Sequence, residues 1–428
     1  MTASLTRSSQ RADSGRALVA GALAVAVFAA SWIGLHQGFY TRDQIVDTPV
    51  YEKYGDWVAD GQLPYRDFRP EYPPLALPVF ILPSLLAGEN AELGRYSGIF
   101  ETLMLFCGAA AVALMAFVLR RSSAGAGRTA AALGFAALAP LALGSVMLSR
   151  FDLWPAALTV GALAALAAGR HRLGLGVLAL AVSAKLYPAV LLPLALPFVW
   201  RRRGRREAVL CGALFAGVLL AVYLPFLLVA PDGVAASMER QLSRPLQIES
   251  LGAALLLVLG RPLGLDLEMV GSHGSQNIAG DAGVVVGVVQ TVVQAAVLVG
   301  IAVAFARGET SRDRLLRYSA AAVLAFVALG KVLSPQFLIW LVPLVPLVRG
   351  RRGLAASALL GLALVLTQLW FPFRYWDYAL TFDGTVAWLV LVRDVLLVAA
   401  LAVLLSPWPQ RTAIGRDSGV RPRHGEVA

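Results

Sequence analysis

The chain has 428 residues, of which 58 % are hydrophobic and only 15 % charged, with a mean hydropathy of +0.69. Soluble domains are nearer half apolar and a quarter charged, so a soluble enzyme, a disordered chain and a nucleic-acid-binding domain are excluded and a polytopic membrane protein is indicated. The net charge of +11 does not reverse this, because the arginines gather in tails and short turns. These are Arg7 to Arg16, Arg120 to Arg128, Arg170 and Arg172, Arg201 to Arg206, Arg307 to Arg317, Arg349 to Arg352, and Arg411 to Arg423. Such turns mark the cytoplasmic side by the positive-inside rule. The two cysteines, Cys107 and Cys211, lie in apolar runs and make neither a disulfide framework nor a metal site.

A spanning helix needs about 20 apolar residues. In chain order, full-length candidates are 17–36, 97–119, 129–148, 153–169, 207–230, 282–306, 354–371 and 386–405. Residues 1–16 form a cytoplasmic tail before an uncleaved anchor, and 406–428 form a second, disordered one. The stretch 74–87, with Pro74, Pro78 and Pro83, is too short to cross and reads as re-entrant or interfacial.

Two further stretches, 173–200 and 318–348, begin and end at arginine clusters, so both ends face the same side. Each carries a lysine and a proline near its middle, Lys185-Leu-Tyr-Pro188 and Lys331-Val-Leu-Ser-Pro335. This weak internal repeat predicts two hairpins of short helices that turn back at the lysine. Orientation then alternates consistently, with both termini cytoplasmic and 37–96 as the first outer loop of a single domain, 17–405. The fold class is an all-α polytopic bundle of about eight full spans plus short re-entrant helices.

In the outer loop, Thr48-Pro49 reads as a helix start. Val50, Tyr54, Trp57 and Val58 recur at helical spacing, and Gly61 can end the helix. A short amphipathic helix on the outer surface is expected. Other outer pieces are Ser149-Arg150-Phe-Asp152, residues 231–281 with Arg240, Arg244, Gln247 and Glu249, and 372–384 with Arg374 and Asp377.

The order Asp47-Thr-Pro-Val-Tyr51, Pro64-Tyr-Arg-Asp-Phe68, Glu71-Tyr-Pro-Pro74, Lys185-Leu-Tyr-Pro188 and Ser334-Pro-Gln-Phe337 resembles the membrane glycosyltransferases of the C-type fold. The resemblance runs over roughly 17–405 and is closest to glycosyltransferase family 87, the polyprenyl-phosphate-mannose-dependent mannosyltransferases of actinobacteria. It implies transfer of a sugar, mannose, from a polyprenyl phosphate to a lipid or glycan acceptor on the outer face of the cell membrane. Asp47 matches the family's first-loop catalytic aspartate, with Asp43, one helical turn earlier, as the fallback. Tyr72, Tyr187 and Gln336 enter as motif residues. Many relatives carry two adjacent acids where Asp47 is followed by Thr48, which speaks against a metal-dependent version. No cofactor and no metal is expected.

Such chemistry is economical in residues. A lipid phosphate already leaves well, so an inverting displacement needs one base for the acceptor hydroxyl and cations near the departing phosphate. Asp47 suits the base, and Lys185, Lys331, Arg150, Arg240, Arg244 and Arg374 suit the phosphate. Simpler roles stand beside these. Asp47 can cap the helix at Thr48, the lysines can snorkel to a surface, the arginines can anchor the interface, and Tyr72 can shape the re-entrant segment. Ionisable groups at membrane depth nevertheless tend to face a cavity or a partner. Arg393-Asp394 reads as a neutralised pair in the last span. A transporter or lipid flippase is the alternative reading, since repeats with broken helices occur there too. No nucleic acid is expected as a partner.

Overall fold

In a bilayer the backbone must satisfy its own hydrogen bonds, and local helical bonds do this segment by segment. The computed structural model, which describes residues 2–42, 44–88, 92–122, 124–260 and 262–406, is accordingly helical almost throughout. Asp43 and the expected tail beyond Ser406 lie outside the described residues.

The first helix, α1 (Thr2–Gly34), includes the expected N-terminal tail. After it come α2 (Thr48–Ala59), α3 (Pro78–Ala87), α4 (Leu93–Arg121), α5 (Ala126–Leu143) and the single turn α6 (Val146–Ser149). Next are α7 (Leu153–Ala167), α8 (His171–Ala184), α9 (Leu192–Arg203), α10 (Arg205–Val229), α11 (Pro231–Leu242) and α12 (Leu251–Gly260). An antiparallel hairpin, β1 (Met269–Ser272) and β2 (Ser275–Ile278), precedes α13 (Gly280–Arg307). The chain closes with α14 (Arg312–Ala328), α15 (Leu338–Leu341), α16 (Gly350–Trp370), α17 (Tyr375–Thr381) and α18 (Gly384–Leu405).

Six of these are long and apolar enough to cross a membrane: α4, α5, α10, α13, α16 and α18. The chain is a multi-pass membrane protein. Two of the eight expected full spans are shorter than expected, α7 with 15 residues and the apolar part of α1, Leu18–Gly34. The expected span 129–148 is divided. Gly144 takes a φ of +67°, a left-handed conformation open to glycine, and a Cβ there would overlap the Gln368 side chain. The break ends α5 and redirects α6 so that Arg150 and Asp152 emerge in one turn.

Both hairpins form. α8 stops at Lys185, whose backbone is extended, and the chain returns through a 3-10 turn, Tyr187–Leu191, into α9. The start and end of this excursion meet, with the His171 and Phe198 rings 6.0 Å apart. The second closes likewise, Arg349 pairing with Asp313 at 2.7 Å. Its return limb is less regular than expected. Pro335, Pro343 and Pro346 each remove a backbone donor, leaving α15 between the 3-10 turns Pro335–Phe337 and Val345–Leu347. The arginine turns therefore gather at one end of the bundle and the lysine tips toward the other.

The helix after Thr48 is present, but its buried side differs from the expected stripe. Tyr51 is fully buried and Tyr54 nearly so, while Val50 is exposed. Tyr51 stacks on Phe80 of α3 at 4.3 Å and meets Phe151 edge-on at 5.8 Å. Packing against protein rings, rather than against lipid, sets the face of α2.

This geometry predicts opposite labelling at the two ends. In a cysteine-accessibility experiment Asp60→Cys and Gly204→Cys should react from opposite sides, with Asp60→Cys on the outside under the sidedness expected from the arginine turns. The native Cys107 and Cys211 are both buried, so background labelling stays low. Reaction of both positions from one side would overturn the arrangement.

Candidate active site

The turn that α6 hands to α7 places the centre of the site. Asp152 is wholly buried. Its Oδ1 accepts from Lys185 Nζ and from Trp340 Nε1, each at 2.5 Å. The ammonium also sits over three rings, at 4.6 Å from Phe151, 5.1 Å from Trp340 and 5.6 Å from Phe337. Such contacts strengthen as water is excluded. Tyr187 stacks on Trp340 with centroids 4.0 Å apart and an interplanar angle of 4°, and its hydroxyl pairs with Thr159 at 3.0 Å. The tips of the two hairpins are thus locked together, with Lys185 and Tyr187 from one and Phe337 and Trp340 from the other. Tyr187 is a packing residue here rather than an open ligand group.

Beside this core stands Asp47. Its side chain makes no capping bond to α2, which removes the simple capping role. One oxygen instead pairs with Arg150 and lies 3.3 Å from the Tyr51 hydroxyl. Arg150 is buried, whereas the Asp47 side chain keeps 28 % exposure. This carboxylate therefore remains within reach of a solute.

Four more sequence candidates face the same region. The charges of Arg150 and Arg244 both reach Lys185, and that of Arg244 reaches Lys331. Arg244 is half-buried, and its Nε has no protein partner. Lys331 donates to the Leu242 carbonyl at 3.3 Å, and its own carbonyl accepts from the Gln247 amide at 2.9 Å. Arg240 pairs with Glu71 at 2.7 Å. That pair, together with Ser237 donating to the Pro70 carbonyl and Gln241 to that of Glu71, docks α11 on the segment between α2 and α3. Burial holds the Tyr72 phenol well above its ordinary value, with the Glu71 charge adding to the effect, so Tyr72 stays a neutral hydroxyl. Its ring packs edge-on against Phe151 at 4.9 Å.

Two candidates make their bonds within their own segments. Arg374 pairs with Asp383 at 3.1 Å, where Asp383 caps α18 through the Val386 amide, so it serves a helix start. The Gln336 side chain accepts from Ser334 within its own turn at 3.2 Å. Arg393 and Asp394 are both wholly buried in α18, as expected. Arg393 also donates to the Glu249 carbonyl at 2.8 Å.

Sequence reasoning gave no role to Asp152 and did not foresee the β-hairpin. An acid beside an arginine in a turn between two apolar runs was the available signal for the first. His273-Gly274 between two short alternating runs was the signal for the second. Both turn residues have positive φ, and a Cβ on Gly274 would come within 3.0 Å of Glu71. The β-hairpin thereby borders the site.

A family model described as Glycosyltransferase family 87 matches residues 71–335. The match spans well over half of the chain, and the chain belongs to that family. It is a membrane glycosyltransferase. The matched region holds the Glu71-Tyr-Pro-Pro74, Arg150, Asp152, Lys185 and Arg244 positions, while Asp47 precedes it. No curated protein matches the chain.

Removing one partner of a buried ion pair leaves the other charge uncompensated. Asp152→Asn is therefore expected to lower stability by about 3–5 kcal/mol, read by thermal or denaturant unfolding in detergent. The double variant Asp152→Asn, Lys185→Met should recover most of that loss. A double variant as unstable as the single one would show that the pair is not what holds the two tips.

Proposed function

We propose that this member of glycosyltransferase family 87 moves a hexose, mannose, from a polyprenyl-phosphate donor to a lipid or glycan acceptor on the outer face of the membrane, with inversion and with Asp47 as general base. One observation carries this reading. A part-exposed carboxylate, Asp47, stands at the rim of a group of cations, Arg150, Lys185, Arg244 and Lys331, at the end of the bundle away from the arginine turns.

The chemistry follows from that arrangement. The acceptor hydroxyl gives its proton to Asp47 as its oxygen attacks the anomeric carbon. The bond between that carbon and the phosphate oxygen breaks, and its electron pair leaves with the polyprenyl phosphate. The extra negative charge on the departing phosphate is met by cations already in place, which lowers the barrier without waiting for solvent to reorganise. Arg150 keeps Asp47 oriented until the acceptor arrives. Asp152 and the three rings hold Lys185 in position, so they are positioning residues. Arg244 and Lys331 lie farther out, toward the incoming donor. Asp47 later releases its proton to water. The lipid tail of the donor remains in the bilayer beside the bundle.

The test is incubation of membranes with labelled polyprenyl-phosphate sugars, followed by product identification. Asp47→Asn keeps the size of the side chain and removes the base. Turnover should fall by at least about a hundredfold, with protein level and donor binding little changed. Asp43→Asn should be milder. Arg244→Gln should instead raise the donor KM, by about tenfold, with a smaller effect on kcat, because the contact exists before the transition state. Normal turnover in both aspartate variants would sink the assignment of the outer loop to catalysis.

A further inference from the structure

At the opposite end of the bundle, where the first hairpin closes, the structure holds a second charged pocket that the transfer reaction does not use. Two adjoining cavities, of about 530 Å³ and about 350 Å³, share Gly169, His171 and Arg203. Gly169, with a φ of +79°, makes the turn between α7 and α8. Five helix ends converge here: the end of α7, the start of α8, the end of α9, the start of α10 through Glu207, and the start of α14 through Arg312. The bases of both hairpins therefore contribute to one pocket.

The charge of this pocket is one-sided. Five arginines line it, Arg170, Arg172, Arg202, Arg203 and Arg312, against one acid, Glu207. That acid is already taken, because Arg172 holds it through two bonds of 2.9 and 2.8 Å. Arg202 is held in place over the Phe198 ring at 4.8 Å. Between the arginines lies His171, with 5 % exposure, and its buried Nε2 has no protein partner. A buried ring nitrogen beside Arg170, Arg203 and Arg312, which pair with no acid among the described residues, points to an anionic ligand. The volume suits a small polar headgroup.

We propose that this pocket binds a phosphate group, that of an anionic phospholipid in the leaflet on the arginine side. Guanidinium groups match phosphate oxygens in pairs, and basic pockets between transmembrane helices bind acidic headgroups. His171 donates from Nε2 to a phosphate oxygen and so gains the bond it lacks. The lipid source is favoured by place, since the pocket opens beside α8 and α10, whose apolar flanks, including Leu173, Val209 and Leu210, are exposed. A headgroup can enter there with its tails lying along those helices. The two hairpin bases are then bridged by one ligand.

The experiment uses the full chain purified in neutral detergent and titrated with mixed micelles of phosphatidylglycerol or phosphatidylcholine, or with inorganic phosphate. Binding is read by native mass spectrometry and by the shift in Tm. The wild type should prefer phosphatidylglycerol by about tenfold or more. The pair Arg170→Gln, Arg203→Gln should lose that preference, and Arg351→Gln, in a different arginine turn, should keep it. If inorganic phosphate alone stabilises the wild type but not the paired variant, and the lipid adds nothing, the phosphate site stands and its source is soluble. The charge-keeping pair Arg170→Lys, Arg203→Lys should bind between the wild type and the glutamine pair, because lysine keeps the charge without the fork. A glutamine pair whose ligand-free Tm falls together with its binding would mean that the hairpin base had been disturbed, and would overturn the proposal. An unchanged lipid preference in the glutamine pair, or no response to any probe, would overturn it too.

Discussion

Lys185 and Asp152 are the pair on which the arrangement rests. Either charge alone would be expensive to keep out of water, and the two together are tolerable only when closely paired and further bonded. Here the carboxylate takes a second donor, Trp340, and the ammonium takes three aromatic faces. The pair ties a turn between α6 and α7 to the tips of two hairpins that are far apart in the chain. None of these pieces would hold its shape alone. α8 has 14 residues, and α15 is a single turn. The pairing energy and the close ring stacking turn three short, proline-broken segments into one rigid floor.

That floor also decides how charge is distributed above it. Each of three cations has its own counter-ion: Lys185 has Asp152, Arg150 has Asp47, and Arg240 has Glu71. Arg244 and Lys331 carry positive charge toward the same region without forming such a pair among the described residues. Glu249, close by, offsets them less than a solvated carboxylate would, because burial pushes its carboxyl up to about 8 against the pull of Arg393 and Arg150. The region keeps an excess of positive charge. A doubly or singly charged phosphate would be drawn to it, and the dry surroundings make that attraction stronger than it would be in water.

Much of this was legible in the amino-acid sequence, and for physical reasons. Prolines and a lysine in the middle of an apolar run conflict with a continuous span, and arginines at both ends fix where the run returns. Hence both hairpins could be read from residues 173–200 and 318–348. The start of α2 at Thr48-Pro49 and the Arg393–Asp394 pair followed from equally local rules. What escaped depends on contacts between distant residues. Helical periodicity alone cannot say that Tyr51 rather than Val50 turns inward, because the choice lies with Phe80 and Phe151. Gly144 breaks a span that hydropathy joins. Asp152 looked like an ordinary loop acid, and only the folded chain brings Lys185 and Trp340 to it. Arg374 offered the same signal as Arg244, yet Asp383 nine residues later takes it.

The length of α8 carries a consequence for the bilayer itself. Fourteen residues rise about 21 Å at the helical pitch, whereas the hydrocarbon layer of a typical membrane is about 30 Å thick. A lysine that stands on such a limb, rooted among arginines at one surface, ends below the other surface. Phosphates of a lipid lying in an undisturbed opposite leaflet would be stranded above it. The mismatch can be closed by local thinning around the short limbs, at a modest cost for each ångström, and by donors that sink to the level of the tips. With the lipid-phosphate donor proposed above, membrane thickness would become a variable of turnover. Shorter acyl chains would bring headgroups level with the lysine, and longer or stiffer ones would lift them away, with no residue of the protein changed.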